Sequence, residues 1–180
     1  MKRIYLSEVR KSPEGLAFNE APSLLESIKE RYDQVLNLEQ LQASGQVVYD
    51  NGLYLLDYQL SYDITLPSSR SLEPATLGFN YLVSETFIQE ADAALQKELV
   101  EENLVLILND DTIDLNESIL DNILLNIPLR VLTPEEESGQ ISLSGKDWEV
   151  LSEEDFAALK QGEKEASNPF AQLNGLFDDN

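Results

Sequence analysis

Residues 103–134 read Asn103-Leu-Val-Leu-Ile-Leu108-Asn-Asp-Asp111-Thr-Ile-Asp114-Leu-Asn-Glu117-Ser-Ile-Leu-Asp-Asn-Ile-Leu-Leu-Asn126-Ile-Pro128-Leu-Arg130-Val-Leu-Thr-Pro134. The apolar run Leu104–Leu108, closed by the turn formers Asn109, Asp110 and Asp111, predicts a well-buried strand. The period then lengthens. Leu115, Ile119, Ile123 and Ile127 recur every four residues and Leu120 and Leu124 widen the stripe, which predicts an amphipathic helix over 115–127. Asp114 and Glu117 stand in capping-box spacing at its start, and Pro128 limits its end. A strand, an acidic turn and a helix with a broad apolar face are expected to hold the centre of the domain.

Toward the N-terminus the period is two. Val47 and Tyr49 precede Asp50-Asn51-Gly52, whose Asn-Gly pair accepts the positive φ values of a type I′ hairpin turn. Beyond the turn Leu56, Tyr58, Leu60, Tyr62, Ile64 and Leu66 share one face of a long strand. Asp57, Gln59, Ser61, Asp63 and Thr65 occupy the other, which predicts a sheet with one wet side. Pro67 ends that strand, and Ser68–Pro74 form a polar connector. Leu77, Phe79, Tyr81, Val83 and Phe87 then alternate again. The predicted strands are therefore 46–50, 53–66, 76–88 and 104–108. Earlier, Ile4-Tyr5-Leu6 suggests a short strand, and Leu16, Phe18 and Ala21 suggest a second short strand or a packed loop. Ser23 and Glu26 suggest a capping box for a helix with Leu24 or Leu25, Ile28, Tyr32 and Val35 or Leu36 on its apolar face. Ala91–Glu102 reads as a short exposed helix or a loop. Leu129–Leu132 reads as a short extended segment, and Glu135–Gly139 as solvated chain. Near the C-terminus, Ser152 and Asp155 can cap a helix containing Phe156 and Leu159. Asn168-Pro169 can open a short terminal helix carrying Phe170, Leu173 and Phe177.

The chain of 180 residues has 12 basic and 34 acidic residues, a formal charge of -22, and no cysteine or histidine. Disulfides, thiolate chemistry, His- or Cys-ligated zinc and any Ser-His or Cys-His nucleophile are excluded. No leader pattern opens the sequence, no apolar run is long enough to span a bilayer, and a cytoplasmic protein is expected. The charge is uneven. Residues 1–50 hold 6 basic and 8 acidic residues, residues 85–121 hold 1 and 11, and residues 133–180 hold 3 and 12. Such a field repels a phosphate backbone and attracts basic protein surfaces, though it also serves plain solubility. Lys2, Arg3, Arg10 and Lys11 form the one locally basic segment, without the arginine density or interleaved aromatics of a nucleic-acid site.

No catalytic constellation emerges. Asp110, Asp111 and Asp114 lack the donor order of a calcium loop and read as a turn and a cap. Ser68 and Ser71 have no base to activate them, and no glycine-rich phosphate cradle occurs. No enzyme, cofactor or metal is expected.

Several short stretches, in order, carry a resemblance: Ser44–Val47, Pro67–Pro74, Ile113–Glu117, Ile127–Arg130, Ser144–Trp148 and Asn168–Leu173. Together they resemble the YceD-type large ribosomal RNA subunit accumulation family, in its Gram-positive branch. Ser68 and Ser71 stand where cysteine-bearing members carry cysteines, with Arg70 retained, so no metal or redox role transfers. Phe170 replaces the arginine of the family's terminal Asp-Pro-Arg motif, which removes a charged contact there. The resemblance implies support of 23S rRNA accumulation and large-subunit biogenesis without catalytic chemistry.

The expected architecture is α+β: an antiparallel twisted sheet packed with helices, and an acidic C-terminal segment with a short terminal helix. Residues 1–132 are expected as the core domain and 133–180 as an acidic extension docked in part on it. Candidate structural or interaction residues are Arg70, Glu73, Asp114, Arg130, Trp148, Pro169, Phe170, Leu173 and Phe177. Arg70 is expected to anchor the hairpin end through a carboxylate or backbone carbonyls. The expected partner is a basic large-subunit ribosomal protein or assembly factor, with rRNA reached indirectly. Direct rRNA binding through the basic N-terminal segment and a general acidic scaffold are the alternatives.

Overall fold

A computed structural model of the chain describes residues 2–138, 144–145 and 148–149. The chain divides into two compact units, Met1–Thr133 and Pro134–Asn180. The first is an α+β domain built on a five-stranded sheet in the order β2-β3-β4-β5-β6: Leu16–Glu20, Asn37–Asp50, Leu53–Pro67, Pro74–Gln89 and Leu106–Leu108.

The long hairpin forms as its alternation dictates. Asn51 (φ 49°) and Gly52 (φ 90°) make the two-residue turn between β3 and β4, with Asp50 paired to Leu53. In β4 Tyr54, Leu56, Tyr58, Leu60, Tyr62, Ile64 and Leu66 are all buried on one face. β5 then pairs with β4 antiparallel along its whole length, Leu53 opposite Ile88 to Pro67 opposite Pro74. A two-stranded antiparallel pair, β1 (Arg3–Tyr5) with β7 (Thr112–Asp114), leads into helix α4 (Leu115–Leu125). Ile119, Leu120 and Ile123 of α4 join the β4 side chains in one core with Ile4, Leu6, Val9, Ile28 and Val35. Helices α1 (Leu6–Lys11) and α2 (Leu25–Arg31) supply Leu6, Val9 and Ile28 of that core.

Polar groups cross the sheet–helix interface as a satisfied chain. Tyr58 and Ser118 hydroxyls lie 2.9 Å apart, and Ser118 Oγ donates to Glu85 Oε2 at 2.6 Å. Asn122 Nδ2 donates to Glu85 Oε1 at 2.6 Å, and the Tyr81 hydroxyl donates to the Asn122 carbonyl at 3.0 Å. A half-buried carboxylate is thereby held by two donors, as burial requires.

The structure corrects several sequence expectations. The run Leu104–Leu108 is not a buried central strand. Only Leu106–Leu108 form β6, at the sheet edge, and Leu104, Leu106 and Ile107 are 58%, 52% and 46% exposed. β6 also pairs parallel to β5, Phe87 opposite Leu106, so the sheet is mixed rather than antiparallel. A parallel partner requires a crossover, and residues 90–105 make it: a 3₁₀ turn (Glu90–Leu95) and the short helix α3 (Lys97–Glu101), none of whose residues is buried. The central strand is β4. β3 starts at Asn37, not Gln46, and a bulge between Glu39 and Gln42, with Gln40 at φ 51°, lets its polar first half stay in the ladder. The Ser23–Glu26 capping box does not form: Leu24 is the N-cap of α2, with no side-chain cap. Leu6 opens a helix rather than ending a strand. Leu129–Leu132 form no strand, and in the run expected in solvent Pro134–Glu137 make the helical turn α5, with Glu136 buried.

Candidate functional site

Two regions of the first unit concentrate the exposed chemistry. The first is the end of the β4–β5 hairpin. Ser68 Oγ accepts from the backbone N–H groups of Arg70 (3.0 Å) and Ser71 (3.2 Å), and the Ser68 N–H donates to the Glu73 carbonyl at 2.8 Å. This serine-centred turn puts Leu72 at φ 64°, a conformation that costs a non-glycine residue energy unless its surroundings fix it. The turn is pinned to the chain that leaves α4. Ser69 N–H donates to the Val131 carbonyl at 2.8 Å, and Val131 N–H donates to Ser69 Oγ at 3.0 Å. Arg70 and Arg130 are the residues next to this double bond, and Leu72 and Leu129 beside them are 75% and 104% exposed. Residues 51–132 contain three basic residues, Arg70, Lys97 and Arg130, and two of them adjoin this double bond in sequence.

The second region follows from how the charges are used. Lys2 pairs with Glu20 at 3.0 Å, Arg3 with Asp114 at 3.8 Å and Arg10 with Asp92 at 3.8 Å. Arg31 holds Glu117 at 2.6 Å and Asp121 at 2.7 Å, joining α2 to α4. Arg10 also donates to the Tyr54 hydroxyl and Gln89 Oε1, and lies over the Tyr49 and Tyr54 rings at 5.2 and 5.6 Å. Each of these ion pairs is worth little in stability because its side chains remain partly exposed to solvent. Their consequence is the local field: four of the six basic side chains in residues 1–50 face a carboxylate of this chain. Glu90, Glu98, Glu101, Glu102 and Asp110 have no ion pair among the described residues and are exposed. Three of them, Glu101, Glu102 and Asp110, bracket the edge strand β6. Asp111 follows, its carboxylate accepting from Gln89 Nε2 at 2.8 Å. An apolar sheet edge between two acidic flanks results.

Arg70, Glu73 and Arg130 are thus brought to one end of the sheet. The Arg70 guanidinium is half-buried and makes no ion pair among the described residues; Glu73 and Arg130 are exposed. Asp114 lies elsewhere, as the N-cap of α4, its Oδ1 accepting from the N–H groups of Asn116 (3.0 Å) and Glu117 (3.3 Å). Glu117 is engaged by Arg31. Trp148 falls in the short strand β9 (Trp148–Glu149), whose backbone pairs with β8 (Ser144–Gly145), Gly145 opposite Trp148. The side chain of Trp148 and the residues Pro169, Phe170, Leu173 and Phe177 lie outside the described residues, as does the 156–159 helix. Leu72, Leu129 and the β6 edge were not singled out from sequence as surface features. A lone leucine inside a serine-rich turn is a signal that could have marked Leu72. Among the described residues no group of three His, Cys, Asp or Glu side chains could hold a metal ion, and no helix is long and apolar enough to cross a membrane.

The family described as large ribosomal RNA subunit accumulation protein YceD matches residues 56–177. The chain is 30% identical over 143 residues to the uncharacterized protein YlbN of Bacillus subtilis strain 168, covering 79% of this chain and 80% of that relative. No solved structure matches.

Proposed function

This chain belongs to the YceD family, and from that premise we propose that it is a non-enzymatic, cytoplasmic factor that supports 23S rRNA accumulation and large-subunit biogenesis by holding a basic ribosomal protein or assembly factor. The observation that carries the mode of contact is the allocation of charge. Four of the six N-terminal cations face carboxylates of the same chain, while Glu98, Glu101, Glu102 and Asp110 face solvent. Binding bare RNA means neutralising phosphates with free lysines and arginines. With a formal charge of -22 the chain is better suited to steer a cationic protein toward itself. The Arg70–Arg130 end of the sheet is a second contact surface on this reading, where two exposed leucines, the exposed Arg130 and the half-buried Arg70 combine apolar and bidentate recognition.

The test is affinity capture with the full chain at near-physiological salt, with and without RNase. RNase-resistant recovery of a basic large-subunit protein or assembly factor is expected. Loss of every partner after RNase, with sequence-selective binding of the purified chain to rRNA, would replace this reading with direct RNA binding through the N-terminal segment.

A further inference from the structure

We propose that the outer edge of β6 is a docking strand, at which an extended segment of the basic partner adds to the sheet with its short apolar run lying between lysines or arginines. This rests on the partner reading above and supplies its geometry. β6 is the last strand of the five-stranded sheet, so one side of its backbone pairs with β5 and no described strand covers the other. Unpaired N–H and C=O groups along an edge are a template for another chain. Leu104, Leu106 and Ile107 are about half exposed, and the successive side chains Leu106 and Ile107 put apolar surface on both faces of that template.

Charge selects the occupant. Glu98, Glu101 and Glu102 stand before the strand, and Asp110 and Asp111 after it. A second copy of this chain, paired antiparallel through β6, would set Glu101 and Glu102 against Asp110 and Asp111 of its mate. Paired parallel, it would set each acid against itself. Like charges facing one another across a strand pair are destabilising, so the flanks work against self-association. They favour a strand whose own flanks are cationic in either direction. At about 3.3 Å per residue, an apolar run of roughly five residues spans Leu104–Leu108 and leaves the partner's basic residues over the two acidic ends.

The experiment titrates the full chain with a labelled peptide of about five alternating valines and threonines between paired lysines, followed by fluorescence anisotropy. A second peptide carries proline at the central position, and a third carries glutamates as flanks. The expected results are saturable binding of the first peptide, at least tenfold weaker binding of the proline peptide, which cannot donate to the ladder, and no binding of the glutamate peptide. Leu106→Lys, at an exposed position, is expected to weaken the first peptide at least tenfold, with thermal unfolding confirming an intact fold. Equal affinity for the parent and proline peptides would overturn the docking strand, since charge alone would then explain the contact. So would dimers of the wild-type chain that Leu106→Lys dissociates without peptide binding, which would make a second copy the occupant. If Leu106→Lys still captures the basic partner as well as wild type does, the edge is not the site although the partner reading stands. If wild type captures no basic protein, that reading itself falls.

Discussion

Gly45 faces Tyr58 across the β3–β4 ladder and Phe18 across the β2–β3 ladder, and those two rings meet with centroids 5.9 Å apart. A Cβ on Gly45 would stand 2.0 Å from the Asp57 carbonyl oxygen and 2.5 Å from Tyr58 Cα, so only glycine allows the strands to approach there. Aromatic rings over a cross-strand glycine restore the packing that the missing side chain forfeits. The tyrosines were legible in the sequence as a period-two stripe. Their partners were not, because no spacing rule connects Tyr58 with Ser118, or Tyr81 with Asn122. The environment of these phenols makes a prediction. Burial, its largest cause, raises the pKa of both Tyr58 and Tyr62 above the ordinary 10.0. Above that value the unfolded chain releases the phenolic protons while the folded chain keeps them. The folded state then binds more protons, so stability falls as pH rises. Chemical denaturation at a series of alkaline pH values should show stability constant below pH 10 from these groups and declining beyond it. Replacing both with phenylalanine (Tyr58→Phe with Tyr62→Phe) should flatten that decline, and an unchanged slope would count against the burial.

At the scale of elements, the outcome depended on how many sides of each segment find a neighbour. The hairpin and α4 were readable because one face of each is dry, and alternation or a four-residue recurrence records that directly. β6 was misread because Leu104–Leu108 has the composition of a central strand, while its position at the edge follows from the crossover through α3, which no local pattern encodes. The polar first half of β3 was missed for the converse reason: Leu41, Ala43 and Val47 do alternate inward, but glutamines and a bulge hide the period. Asp114 was legible as a cap, and it joins β7 to α4 at the point where the Leu115 N–H donates to the Lys2 carbonyl. Asp114→Ala should therefore lower stability by about 1 kcal/mol, the usual worth of an N-cap, read as a shift of the urea midpoint at unchanged slope. Asp114→Asn, which keeps the acceptor, should recover most of it. The 3.8 Å contact with the exposed Arg3 adds little to that figure.

For the whole molecule, the sequence showed a surplus of acid but not its distribution. The ion pairs of Lys2, Arg3, Arg10 and Arg31 join residues 18 to 111 positions apart, beyond any local reading. They pair three of the four cations of the basic N-terminal segment with carboxylates, while the acid at the β6 flanks stays exposed. Similarly, the motifs at 67–74 and 127–130 are distant in sequence, and the Ser69–Val131 bonds bring them together. On the proposed reading these acidic flanks, in contact with a basic protein, support large-subunit rRNA accumulation. The most direct measurement is the ratio of 23S to 16S rRNA in host cells carrying Glu101→Lys, Glu102→Lys and Asp110→Lys together, with the protein level and fold verified, beside cells lacking the protein. The account predicts a ratio lowered to that of the cells lacking the protein; a charge-reversed chain that sustains the wild-type ratio would contradict it.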